Sequence, residues 1–167
     1  MSEIRLRHTL RDRETNQLFD EFSRKISVDL RQLFGPRTHV EVAKTQTIEI
    51  FFINCRPLLA KLKDLVLPTL QFQEVFYLLP KIVVNMGAVP HVCNGADIMA
   101  PGIVEVSGGF KEKTLVVVLD ERNRQPIAIA QSLCDSEEAK SIKKGKLFKN
   151  FHYVGDDIWK IAKERKS

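Results

Sequence analysis

The amino-acid sequence predicts an α+β N-terminal unit followed by a mostly β small barrel. Two observations carry that reading. A single helical period near the start gives way to alternating β-branched runs, and from residue 80 onward the chain breaks into some five or six short apolar runs separated by turn residues. A chain of 167 residues suits one ordinary domain or two small ones. The link through Pro80 is the expected boundary, giving an N-terminal domain over 1–79 and a second domain over 80–167.

Ile4, Leu6 and His8 alternate with arginines, as in a short edge strand. Leu18, Phe19, Phe22, Ile26 and Leu30 then recur at three- and four-residue steps, with Thr15 or Asn16 as the expected cap and Gly35-Pro36 as the stop. HVEVAKT and TIEIFFIN read as two antiparallel strands. RPLLAKLKDLVLPTLQF fits a helix or a third strand, and Pro68 breaks either one.

In the second half KIVVN is a strand ending in Asn85, a good helix cap, and MGAVPHVC is a short helix limited by Pro90. IVEV and TLVVVLD flank Ser107-Gly108-Gly109, a hairpin signal, and RNRQP turns the chain again before IAIAQSL. Asp135 and Glu138 have the spacing of a capping box, opening a short helix that Gly145 closes. KLFKNFHYV and DIWKIA read as the last two strands, separated by Gly155-Asp156-Asp157. Short strands at such regular turns make a closed or nearly closed barrel.

Composition excludes several classes. Hydrophobic residues at 44% and charged residues at 28% fit a globular protein. No apolar run approaches the roughly 20 residues of a membrane helix, and the arginine-rich start lacks the apolar core of a signal peptide. Cys55, Cys93 and Cys134 are scattered, which argues against a disulfide framework and for a reduced, cytoplasmic setting. No CxxC or HExxH is present, so no metal is expected, and no phosphate loop or GxGxxG implies a nucleotide cofactor. Cys93 follows His91 by two residues but reads as a small buried hydrophobe, and Asp156 and Asp157 read as turn formers. No catalytic residue is expected.

Charge is more informative once located. The whole chain carries +5, yet the last 29 residues hold nine Lys and Arg against three Asp and Glu. Lys140, Lys143, Lys144, Lys146 and Lys149 have no acid among them, and the first three fall on one face of a helix opened by Asp135. Such a patch suits a polyanion, since each phosphate contact releases condensed counterions. Phe148, Phe151 and Tyr153 alongside read as core rather than as base-stacking rings. NGADIMAPGI poses a separate question. Gly95 and Gly102 serve either a strand corner or a close approach of bare backbone to a ligand.

KIVVNMGAVPHVCNGADIMAPGI followed by KGKLFKNFHYVGDDIW closely resembles a PUA domain over residues 80 to about 163. That resemblance implies a pseudobarrel that binds structured RNA through its short helix, the glycine-bearing segment after it and its last strand. The residues it brings to the RNA surface are Met86, Gly87, Pro90, Gly95, Ala96, Asp97, Met99, Pro101, Gly102 and Tyr153. Lys81, Lys143, Lys144, Lys146 and Lys149 are the expected phosphate contacts.

TIEIFFIN and LVLPTLQF are similar to the pre-PUA region of the malignant T-cell-amplified-sequence family and its archaeal relatives. This resemblance implies a translation role: binding tRNA at its acceptor end or small-subunit rRNA, in initiation or ribosome recycling. Its partners would be the small ribosomal subunit and a protein docked on the N-terminal domain. The alternative is an RNA-targeting accessory subunit of a tRNA- or rRNA-modifying enzyme, since PUA domains are attached to such enzymes.

Overall fold

A computed structural model describes residues 3–164. Arg165 and Lys166 of the basic tail lie outside the described residues. The first sheet is an antiparallel meander in chain order: β1 (Leu6–Thr9), β2 (Val40–Lys44), β3 (Ile48–Ile53), β4 (Arg56–Leu62) and β5 (Leu65–Pro68). The leucine-rich stretch that fitted a helix or a strand is the β4–β5 hairpin, turned at Lys63 with φ 54°. Helix α1 (Asp12–Ile26) starts ahead of the expected Thr15 or Asn16 cap. Glu14 accepts the Arg11 N–H at 3.1 Å, and Asp12 and Glu14 place negative charge in the first turn, where the helix dipole favours it. A four-residue helix α2 (Arg31–Phe34) ends at Gly35, as expected.

β3 is buried almost throughout, which explains why IEIFFI is so apolar for a sheet strand. Its two faces have two covers. Phe51 and Ile53 pack under Leu18, Phe19, Phe22 and Ile26 of α1. On the other face Ile50 and Phe52 join Ala43 and Ala60 beneath Ile158 and Ile161 of a C-terminal helix, α5 (Asp157–Glu164). A strand covered on both sides has no need of polar alternation.

DIWKIA is therefore a helix and not the strand expected from its sequence. Its start is set by Asp156, whose Oδ1 accepts the Trp159 N–H at 2.7 Å, and Ile158, Ile161 and Ala162 form its buried stripe.

The second sheet comprises β6 (Lys81–Val84), β7 (Ile98–Met99), β8 (Ile103–Ser107), β9 (Leu115–Asp120), β10 (Pro126–Ser132) and β11 (Lys146–Tyr153), ordered β7-β11-β10-β9-β6-β8. The β8–β9 hairpin expected at Ser107-Gly108-Gly109 does not form. β6 lies between those strands, antiparallel to β8 and parallel to β9, so the glycines carry a crossover. β7 and β8 end the sheet on opposite sides but are joined by a single 3-10 turn, Ala100–Gly102. Laid flat, six strands would hold their ends about 24 Å apart. The chain from Met99 to Ile103 reaches at most about 14 Å. The sheet must therefore curl towards closure, as the barrel reading required.

Two short helices complete this half, α3 (Val89–Val92) and α4 (Ser136–Ser141). Asp135 caps α4 through the Glu138 N–H at 2.8 Å, as the capping-box spacing foretold. The helix ends at Ser141, and Ile142 is already extended. Lys143 and Lys144 consequently lie on a loop, not on a helical face with Lys140. Gly145 sits in that loop rather than at the helix end.

The two halves share one core. Leu115, Val117 and Ile129 of the second sheet join the cluster built on α1, with Leu70, Phe72, Val75 and Phe76 of the connecting segment packed among them. A polar contact pins the junction. The Leu70 N–H donates to Nε2 of the fully buried His152 at 3.0 Å, so the ring's hydrogen is on Nδ1, which donates to Asp156 Oδ2 at 2.8 Å. Asp156 thus closes the turn after β11, caps α5 and orients the histidine.

Candidate nucleic-acid interface

At the C-terminal end of β6 the chain turns through Asn85, whose N–H donates to the Gly102 carbonyl at 2.8 Å and whose Oδ1 accepts the Ala88 N–H at 2.9 Å. Met86 and Gly87 form the tip of this turn. Pro90 stands in the first turn of α3, where its missing N–H costs nothing. After α3 the chain folds back on itself: Gly95 donates to Val92 and Ala96 to His91, both at 3.0 Å.

Two glycines make this geometry possible. Gly95 has φ +94°, and a Cβ there would lie 3.1 Å from the Tyr153 hydroxyl; at Gly102 it would lie 3.0 Å from the Ala88 methyl. The groups that stand against bare backbone at 95 and 102 are Tyr153 and Ala88. Tyr153 stands behind the loop as its support.

Asn150 of β11 holds the segment from the other side. Its Nδ2 donates to the carbonyls of Val92 and Ala96, both at 3.0 Å, and its backbone N–H donates to Asp97 Oδ1 at 2.9 Å. The Asp97 carboxylate also receives the Lys146 ammonium at 2.9 Å. Partial burial opposes its charge, but Lys146, the Asn150 N–H and nearby Lys149 prevail and hold the carboxyl below the usual carboxylate range.

The result is a concavity of about 470 Å³ between α3 and the β7–β8 connection. Ala96, Asp97, Met99, Pro101 and Gly102, all expected from the sequence, line it. So do Ala88, in the short-helix stretch that the resemblance already placed at the surface, Asn85, read only as a helix cap, and the exposed His91, to which the sequence assigned no role. No local signal distinguished His91; only the fold-back of residues 94–97 brings it to the rim. Met99 is 47% exposed and sits opposite Lys146 across the β7–β11 ladder.

Beside it the loop over 142–145 presents Lys143 and Lys144 and the start of β11 presents Lys146, all exposed, and the Gly145 carbonyl accepts the Ala100 N–H at 2.8 Å, fixing that loop against the site. Lys149 lies over the Phe151 ring at 5.4 Å. Phe148 is fully buried, as expected of a core ring.

Lys81 does not join this group. It stands at the opposite end of β6, where its ammonium donates to the carbonyls of Phe76 and Leu79 at 2.6 and 2.9 Å. Nucleophilic chemistry finds little support nearby. Cys93 is half buried, and burial pushes its thiol above the ordinary range.

Comparison with known proteins agrees with this architecture. A PUA domain model matches residues 80–154, and that of a domain of unknown function, DUF1947, matches residues 6–73. An uncharacterized protein of Methanocaldococcus jannaschii is 36% identical over 160 residues, covering 94% of this chain and 97% of its own. Translation machinery-associated protein 20 of Saccharomyces cerevisiae is 27% identical over 84% of this chain and 82% of its own length. Malignant T-cell-amplified sequence 1-B of Xenopus laevis is 28% identical over 86% and 82%. Among solved structures, a hypothetical protein of Pyrococcus horikoshii superposes with a TM-score of 0.79 at 31% identity, covering 94% of this chain and 99% of that one.

Proposed function

The chain belongs to the PUA-domain proteins that carry an N-terminal DUF1947 region, and from that premise we propose that it is a non-catalytic, cytoplasmic RNA-binding protein of the translation apparatus. Its ligand is the acceptor end of tRNA or a segment of small-subunit rRNA, and its place is initiation or ribosome recycling. The observation that carries this reading is the concavity between α3 and the β7–β8 connection, with an apolar floor and exposed Lys143, Lys144 and Lys146 beside it. Apolar and backbone groups there suit a splayed-out base or sugar, and the lysines suit the phosphates that follow it.

The name of the yeast relative points the same way, towards the translation machinery. In this reading residues 1–79 form a docking domain for a ribosomal or protein partner, and residues 80–167 form the RNA-binding domain.

Co-sedimentation tests the assignment. The expected outcome is association with the small ribosomal subunit that weakens as salt rises. Co-purification with an RNA-modifying enzyme, with no ribosomal association, would instead establish the accessory-subunit reading.

A further inference from the structure

The N-terminal end of β6 carries a second concavity, of about 410 Å³, on the seam between the two halves. Its wall includes Lys25 from the last turn of α1, Tyr77 from the connecting segment, Lys81 from β6 and the exposed Gly108-Gly109 crossover. Both lysines are half buried and are held in place by backbone carbonyls. Lys25 donates to Val66 at 2.9 Å, and Lys81 to Phe76 and Leu79.

An ammonium has three N–H groups. Lys25 spends one on the protein and Lys81 two, so both keep donors for an anion. Burial pushes both ammonium groups below the ordinary lysine range, which means their charge is under-solvated where it stands. A phosphate would replace that lost hydration.

Arg24 and Lys61 lie within electrostatic reach of Lys25, with Glu21 the opposing charge, and these three line the neighbouring concavity together with Glu14, Asp20 and Glu49. Lys111 and Lys113, with Glu112 between them, sit in the exposed stretch between the lining residues Phe110 and Thr114. Tyr77 lines the same concavity. It is 72% exposed, more than any other large hydrophobic residue among the described residues. The protein core has no use for it there, and an exposed aromatic face beside fixed cations is how single-stranded nucleic acid is held.

We infer that the seam concavity formed by Lys25, Lys81 and Tyr77 is a second RNA contact, taking one phosphodiester on the two lysines and stacking the adjoining base on Tyr77. The inference rests on the RNA-binding reading above and extends it to a site that the first concavity does not include. The four residues of β6 separate the two sites by roughly 13 Å along the strand, about two extended nucleotide steps. One single-stranded segment can therefore engage both. Lys81, which stands apart from the α3 site, acquires its role here.

The test is fluorescence anisotropy of the full chain with a labelled 3′-ACCA-ended octaribonucleotide at two salt concentrations. It compares wild type, Tyr77→Ala, Lys81→Met and the Lys143→Ala/Lys144→Ala pair. Tyr77→Ala removes an exposed ring and should fold normally. The expected result is a five- to tenfold loss of affinity with an unchanged salt slope for Tyr77→Ala, and a slope lower by about one for Lys81→Met.

Because Lys81→Met leaves two carbonyls without a donor, amine-reactive labelling of the wild type provides a second readout. Bound oligonucleotide should protect Lys25 and Lys81. Wild-type affinity in Tyr77→Ala together with unprotected lysines overturns the second contact. If the lysine pair still weakens binding in that case, the α3 reading survives. If the wild type binds no RNA at all, both fall.

Discussion

The two sheets of this protein are stabilised in opposite ways. The N-terminal sheet is covered on both faces, by α1 on one side and by the returning α5 on the other, and its central strand is apolar along nearly its whole length. The C-terminal sheet curls on itself, fills its interior with Val84, Val116, Ala128 and Phe148, and leaves its connections at the surface. The difference assigns labour. Where every face is covered, substitutions act on stability; where a barrel leaves loops outside, they can act on binding while the fold persists. The halves are not independent, since α5 follows the last strand of one sheet and covers the other.

The largest expected effect is in the covered sheet. Phe52→Ala removes a ring that is 1% exposed beneath α5, and should cost about 3–5 kcal/mol in denaturant unfolding. RNA affinity per folded molecule should be unchanged. Next comes the junction. His152→Ala leaves the Leu70 N–H buried without its acceptor and should cost about 1–3 kcal/mol, with hydrogen exchange at Leu70 rising more than at β9 or β10. Exchange that rises equally everywhere would mean that the histidine is ordinary core rather than a junction contact.

Asn150→Ala sharpens the contrast, because it removes the two bonds that hold the chain after α3. The expected outcome is a loss of about 1–2 kcal/mol, more rapid exchange at Ala96 and Asp97, and weakened RNA binding. The smallest effect on stability belongs to Lys143→Ala/Lys144→Ala, within about 0.5 kcal/mol of wild type. The same pair should lower the salt slope of RNA binding by about two. Titration gives a further check. The Asp97 carboxyl is depressed in the folded state, so its contribution is complete above the unfolded carboxylate value and is lost as pH falls through the folded one. The Asn150 amide resonance should stay unchanged down through mildly acidic pH and shift only below the ordinary carboxylate range.

Much of this was legible in the sequence. The α1 stripe, the β2–β3 pair and the capping box at Asp135 followed from local period and caps, and the family resemblance named Ala96, Asp97, Met99, Pro101 and Gly102 of the concavity lining but not Asn85 or His91. What escaped was non-local. DIWKIA carries the helical stripe Ile158, Ile161 and Ala162, but a six-residue window after Gly-Asp-Asp resembles a hairpin arm; only its packing on Phe52 decides the matter. Ser107-Gly108-Gly109 has hairpin chemistry, yet β6 takes the place beside β9. The glycines of NGADIMAPGI were read as a strand corner or a close approach of bare backbone to a ligand, and neither alternative named an internal neighbour. The approaching groups, Tyr153 and Ala88, come from distant parts of the chain and no local pattern reveals them.

The most direct test of the central claim is tRNA binding by anisotropy, with and without the 3′ CCA, for the wild type and for Met99→Glu. Met99 is exposed at the mouth of the α3 concavity, so the substitution places a negative charge at the site without disturbing the core. Intact tRNA should bind, removal of the CCA should weaken it, and Met99→Glu should abolish the difference while melting at the wild-type temperature. Equal binding of both tRNAs by both proteins would contradict that claim and reduce the lysines to a generic basic surface.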